Sequence, residues 1–356
     1  MSKKVKNSIK AIAFIVIFIV LFCSIGVLLN PNGTYEEWFQ SYAVIEFYKK
    51  KENTIDMIYI GNSCIYTGVS PLEIYDRIGV TGYPLSTPSQ KLWASYYWMK
   101  EALKYQKPKA FFLEVGEAFA TKKQNDELTI RRAIDSMKFG KNKLEMIMDS
   151  DFGLSNFEKL SCIFPILRYH SRITKLKETD LRKLVVKENY TFGGFFVNKV
   201  TKGYRGKFDK KAKQKYLELI AKTKVENTTE ISKESEEKMN QMVELCKNNH
   251  CELVLIKIPE PRDWTPEKSQ AIAEFASGNN IKFIDLNYDE NIEINWETDT
   301  QDEGDHLNIK GAEKIGEYLS NYIKQNFTIE DHRNDENYRE WNDMLRRYKE
   351  DKGIAK

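Results

Sequence analysis

Ser63 ends an apolar stretch, Ile55 to Ile60, that turns through Gly61 and Asn62. A hydroxyl presented at a strand end is a candidate nucleophile. It needs a base to take its proton and an acid to orient that base. The chain has four histidines. His170 and His332 lie close to arginines, and His250 lies between a helical pattern and an apolar one. His306 differs, because Asp302, Glu303 and Asp305 surround it in a glycine-punctuated loop before a helical pattern. Ser63, His306 and one carboxylate would supply the three groups of nucleophilic acyl chemistry. Two other readings stand beside this one. Ser63 is the cap of a short helix, a frequent role of serine, or Cys64 is the nucleophile and Ser63 is structural. Neighbouring side chains diverge, so both cannot serve, and the strand-turn pattern favours Ser63.

The elements that must position these groups alternate in type. The first strand, Ile55 to Ile60, is apolar at nearly every position, as expected for a parallel strand covered on both faces. Gly61 permits a sharp turn, and a helix soon after Ser63 would aim backbone amides at the site. Ser70 as cap and Pro71 in the first turn start a helix that Gly79 ends. A strand over 81–85, a helix over 89–106 and a strand over 110–115 follow. The rhythm returns with a helix over 233–249, a strand over 252–258, a helix over 266–277, a strand over 281–286 and a closing helix over 309–326. Such alternation defines an α/β class, here a three-layer α/β/α sandwich on a mainly parallel sheet. In 117–230 the rhythm breaks down. That region reads as a partly helical insertion, with an aromatic stretch at Phe192 to Phe196 and a lysine-rich run from Lys199 to Lys224. Sites of open parallel sheets lie outside the carboxyl ends of the strands. An insertion after Val115 is therefore either a lid or a separate structural subdomain.

Lys3, Lys4, Lys6 and Lys10 precede an uncharged apolar run from Ala11 to Leu29. A bilayer-crossing helix needs about 20 such residues. The lysines keep residues 1–10 cytoplasmic and put the body outside the cell membrane, on one transmembrane anchor over 11–29. A cleaved signal peptide is the rival reading, but Asn30, Pro31 and Asn32 follow instead of a small-residue cleavage site. Phe22 before Cys23 argues against a lipoprotein site. Residues 30–52 read as a membrane-proximal stalk or helix, and 53–326 as the α/β domain. The tail, 327–356, is charged, and Tyr338, Trp341, Leu345 and Tyr348 mark one helical stripe in it. A net charge of only +3 gives no case for nucleic acid as a partner. Five cysteines without a C-x-x-C suggest neither a disulfide framework nor a structural metal, although Cys246 and Cys251 are close enough in sequence to meet. No glycine-rich phosphate loop suggests a cofactor.

From its first strand to its last helix the chain resembles the SGNH (GDSL-type) hydrolases. Gly61-Asn62-Ser63 is similar to the first block of that family, usually Gly-Asp-Ser. Asp302 to Asn308 is similar to the last block, where acid and histidine lie close together. The resemblance implies Ser63 as nucleophile and His306 as general base. It is closest to membrane-anchored, cell-surface members of Gram-positive bacteria, including lipoteichoic-acid D-alanine transfer proteins. These work beside membrane-bound O-acyltransferases. The implied substrate is an acetyl or D-alanyl group on a cell-surface polysaccharide or teichoic acid, and the implied partner is such an acyltransferase.

Three departures stand out. The family acid lies three residues before the histidine, a position held here by Glu303, whereas Asp302 is four before and Asp305 is adjacent. A side chain next in sequence seldom folds back onto its neighbour's ring, so Asp302 is preferred, with Glu303 and Asp305 open. The second block corresponds to Leu85 to Gln90, with Ser86 and Thr87 where a glycine is usual. Their amides, with that of Ser63, are the candidate oxyanion donors, and Asn62 and Gln90 complete the binding set. The asparagine of the third block is absent, for Glu114, Val115, Gly116 and Glu117 end the matching strand. Losing one such donor costs roughly 10²–10³ in rate.

These departures motivate a reading from another class, a non-catalytic scaffold that binds a surface polymer or a membrane partner. Lys207, Lys210, Lys211, Lys213 and Lys215 face an anionic polymer or form a solvated helix face. Trp93, Tyr96, Tyr97 and Trp98 are core residues or a sugar platform.

Overall fold

The computed structural model describes residues 2–31, 41–178, 180–181, 190–197, 229–260 and 264–352. The lysine run from Lys199 to Lys224 and the side chain of Glu303 lie outside the described residues. Five strands form one parallel sheet: β1 (Met57–Gly61), β2 (Gly82–Ser86), β3 (Ala110–Glu114), β4 (Glu252–Lys257) and β5 (Lys282–Asp285). Their order is β2-β1-β3-β4-β5. The chain leaves β1 toward β2 on one side and then crosses to β3 on the other. The carboxyl ends of β1 and β3 therefore flank the crevice where open α/β sheets bind ligands. Ser63 follows β1 directly.

Strand alternation sorts the core into two layers. Met57, Tyr59, Ala110, Phe112, Val254, Ile256 and Ile284 pack on Ile315, Leu319 and Ile323 of the helix Ile309–Asn326. Ile58, Ile60, Leu85, Phe111, Leu113, Leu253 and Leu255 pack on the opposite layer. That layer comprises the helices Leu92–Ala102, Lys233–Asn248 and Pro266–Gly278. Burying one large apolar side chain contributes about 1.5–3 kcal/mol, so helices on both faces follow from strands apolar on both faces.

Several boundaries differ from the pattern-based ones for local reasons. β1 begins at Met57, because the Asp56 carboxylate is taken by the Thr81 amide and hydroxyl at 2.9 and 2.8 Å. Ser70 precedes the helix Pro71–Ile78 without capping it through its side chain, and its hydroxyl instead lies 3.2 Å from the Tyr348 phenol. Gly79 ends that helix at φ 71°, where a Cβ would meet the Asp331 carboxylate.

The stretch 41–52 is helical over Tyr42–Ile45 and Glu46–Lys49 and packs on the body instead of standing off as a stalk. Tyr42, Ala43, Val44 and Phe47 are buried, the Phe47 ring packs 5.4 Å from that of Tyr83, and the Tyr83 hydroxyl donates to the Ala43 carbonyl at 2.8 Å. β2 is an edge strand, and these residues cover it, which removes an exposed pairing edge. The tail helix Arg339–Lys352 buries Trp341, Met344 and Tyr348, and Leu345 is only half-buried. In the insertion, Phe192 and Phe195 bridge across Gly193 and Gly194. Gly194, at φ 88°, sits so close to the Pro84 carbonyl that a Cβ would lie 2.5 Å from it. One described helix, Lys3–Leu29, is long and apolar enough to cross a membrane.

Candidate active site

Gly61 has φ 156°, and a Cβ there would stand 2.6 Å from that of Glu114, so only glycine lets β1 turn beside β3. Asn62 then caps the short helix Ser63–Gly68, its side-chain oxygen accepting from the Cys64 amide at 3.0 Å. The cap is thus Asn62, and the Ser63 hydroxyl is left for other work. Gly68, at the end of this helix, allows close approach to Leu307, whose Cδ1 would be 3.4 Å from a Cβ at position 68. That contact brings the His306 segment against the Ser63 helix.

His306 itself lies on a small antiparallel ribbon, Thr300–Gln301 with His306–Leu307, closed by the turn 302–305. Asn308 fixes this ribbon to the last helix. Its side chain accepts from the Lys310 and Gly311 amides and donates to the Thr298 and Thr300 carbonyls at 2.8 and 3.1 Å. Gly311 fits because a Cβ there would meet the Asp299 carbonyl at 2.4 Å.

The two segments meet at one contact. His306 Nε2 lies 2.7 Å from Ser63 Oγ, across 243 residues of chain. On the far side of the ring, Nδ1 is 3.3 Å from the Asp302 carboxylate. This is a close approach of charge without the alignment of a hydrogen bond, and among the described residues no acceptor makes an aligned bond to Nδ1. The Asp302 side chain is 47 % exposed, against 25 % for His306. Asp302 also has φ 51°, a left-handed conformation that aspartate tolerates better than most residues. Asp305 ends the turn, its amide donating to the Asp302 carbonyl at 3.2 Å.

Tyr66, three residues after Ser63 on the same helix, was not singled out by the sequence patterns. Its phenol lies against the Ser63 hydroxyl, with the Asp302 carboxylate and the Arg132 guanidinium near enough to act on it electrostatically. Burial pushes this phenol above its ordinary range, so it keeps a proton to donate. The i, i+3 spacing from Ser63 was the signal that could have found it. Cys64 points away into the core, and burial pushes its thiol well above the usual range. A protonated, enclosed thiol is a poor nucleophile.

The remaining candidates are mostly internal. Ser86 pairs with Gly61 across the sheet, and its buried hydroxyl has no hydrogen-bond partner among the described residues. The Thr87 hydroxyl donates to Gln90, and the Gln90 amide donates to Ser95, each at 3.0 Å. The Thr87 and Gln90 side chains thus tie the loop to the helix Leu92–Ala102 through Ser95. Glu114 occupies the place of the missing asparagine, fully enclosed. One of its oxygens is 2.9 Å from Lys257 Nζ and the other accepts from the Gly116 amide at 3.1 Å. Glu260 takes a second bond from Lys257 at 2.9 Å. Burial raises the Glu114 pKa; it also works against the Lys257 charge, but Glu114 and Glu260 outweigh it and hold that lysine well above its ordinary range. With one oxygen on Lys257 and the other on the Gly116 amide, Glu114 braces the strand ends and is turned to these partners. Trp93, Tyr97 and Trp98 are buried in the core rather than displayed as a sugar platform. Cys246 and Cys251 are buried free thiols. Among the described residues no group of histidine, cysteine and carboxylate side chains is placed to hold a metal.

No family model matches the chain, and no curated protein matches it. Among solved structures, a chain from Bacteroides fragilis NCTC 9343, provisionally described as an acylhydrolase, is similar over 79% of this chain and 94% of its own. The identity is 11% and the TM-score 0.35, a likeness too remote to carry an argument about function.

Proposed function

We propose that this protein is a serine esterase or O-acyltransferase of SGNH type. The 2.7 Å contact between Ser63 Oγ and His306 Nε2 carries that reading. In the first half-reaction Ser63 Oγ attacks the acyl carbonyl carbon while His306 Nε2 takes its proton. Collapse of the tetrahedral adduct breaks the ester bond, and the imidazolium returns the proton to the leaving alkoxide. An acyl-serine remains. Water or an acceptor hydroxyl, deprotonated by His306, then releases the acyl group. Asp302 favours the imidazolium by charge, and the Tyr66 phenol is a donor within reach of the oxyanion, doing the work of the absent asparagine.

The resemblance to anchored cell-surface members supports an acetyl or D-alanyl group on a surface polysaccharide or teichoic acid as substrate. It also supports a membrane-bound O-acyltransferase as partner. The apolar helix Lys3–Leu29, with lysines at its start, supports a cytoplasmic N-terminus and an extracellular body. The test is hydrolysis of p-nitrophenyl acetate by the full chain in detergent. Turnover that vanishes in Ser63→Ala supports the reading, and turnover equal in both rejects it.

A scaffold without turnover is the second reading. The half-exposed acid and its unaligned approach to Nδ1 favour it. A folded protein that shows no serine-dependent turnover on any acetyl or alanyl ester, yet binds teichoic acid, would establish the scaffold instead.

A further inference from the structure

The last turns of Lys3–Leu29 pack on the insertion. Gly26 lies against Pro165 and Ile166, with the Ile166 nitrogen 3.4 Å from where a Cβ would stand. The Phe22 and Phe164 rings meet edge to face at 5.8 Å. Leu29 is buried with Tyr169, and its carbonyl accepts from Arg172. Phe22 precedes Leu29 by seven residues, about 10 Å along a helix. The apolar run from Ala11 to Leu29 is about as long as a hydrocarbon core of ~30 Å is thick. A span seated on that run carries Phe164 down with Phe22, below the level where the span ends.

The surface around Phe164 suits that depth. Phe157 and Leu160 lie three residues apart on the helix Asn156–Ile163, and Phe164 follows as its C-terminal cap. Phe157 is 62 % exposed, Leu160 45 % and Ile173 62 %. Ile173 belongs to the turn His170–Lys175, which also adjoins the span. The nearby arginines are already engaged: Arg168 with Glu127, Arg172 with Asp180, and Arg131 with Asp135. Lys175, at the end of the same turn as Ile173, is exposed, so the patch is apolar with a basic edge.

We propose that this patch is a second membrane contact, in which Phe157, Leu160 and Ile173 sit in the outer leaflet beside the transmembrane helix. The occupant is lipid acyl chain, because the patch is continuous with a surface that already covers a bilayer-spanning segment.

The test is spin-label depth measurement on the full chain in phosphatidylcholine nanodiscs, in a Cys23→Ser background. Labels go on Phe157→Cys and Ile173→Cys, with Val16→Cys inside the span and Glu290→Cys on the loop after β5 as controls. We expect labels at 157 and 173 to collide several-fold more often with oxygen, relative to a nickel chelate, than the label at 290. Water-like values at 157 and 173, with position 16 in hydrocarbon, overturn the proposal and leave the anchor standing; that result would point to a protein partner on the patch. Water-like values at position 16 as well overturn the span and the proposal together.

Discussion

Ser63 and Asp302 stand at the two ends of one line of contacts through His306, in unlike surroundings. Ser63 follows a strand buried at every position, turns on a glycine that tolerates no side chain, and is preceded by an asparagine that secures the helix cap. Asp302 rides a four-residue turn, half exposed, in a left-handed backbone conformation. The difference shows that Ser63 and its partner His306 are fixed by the fold, whereas Asp302 is held by a local turn. Solvent weakens its charge on the imidazole, because interaction energy falls as the effective dielectric rises. On the proposed reading, Asp302 is the adjustable part of this site.

That contrast can be broken by substitution, beginning at the rigid end. Ser63→Ala or His306→Ala should lower ester turnover by roughly 10⁴-fold or more, since members of such a pair act as a unit. Circular dichroism should show an unchanged fold. Gly61→Ala must push a Cβ into Glu114 and should cost about 2 kcal/mol or more in stability, read as a lower urea midpoint. If it melts like the parent, the crowding between β1 and β3 is not as tight as described. Tyr66→Phe should reduce kcat by about 10²-fold with KM little changed, because an oxyanion donor acts on the transition state. An effect confined to KM would make Tyr66 a binding residue instead.

At the soft end, Asp302→Asn should cost only about tenfold, against about 10⁴ for a buried orienting acid. A loss near the larger figure would mean that Asp302 closes onto the ring when substrate binds, and the contrast would disappear. The smallest effect belongs to Cys64. With its thiol pKa raised by burial, the sulfur stays protonated at about pH 7 to 9. Maleimide should leave activity intact over that range, and Cys64→Ala should turn over within a few-fold of the parent. Inactivation that grows with pH in the parent but not in Cys64→Ala would contradict the assignment.

The sheet was legible because its strands are apolar on both faces and its helices carry proline and glycine punctuation, as at Pro71 and Gly79. The pairing of residues 63 and 306 was legible only as chemistry, a serine after a strand and a histidine among acids. The distance between them depends on Gly68 and Asn308, whose roles are tertiary. The covering of β2 by 41–52 was missed because a short amphipathic segment reads alike as stalk or edge cover until its neighbour is known. The second-block pattern points to the Thr87 amide and to Gln90, but not to the bonds by which their side chains reach Ser95 on the helix Leu92–Ala102. Tyr66, the single aromatic of a six-residue helix, was hidden because that helix is too short for a periodic pattern. Glu114 was read as a missing donor, and only the fold supplied the reason for the carboxylate, the enclosed Lys257.

The central claim is that Ser63 is an activated nucleophile, and mapping a covalent adduct tests it most directly. The full-length protein is treated with a fluorophosphonate, digested, and the modified residue located by mass spectrometry. The account predicts one adduct, on Ser63, that fails to form in His306→Ala. An unmodified Ser63 in folded protein, or an adduct whose formation does not depend on His306, would contradict it.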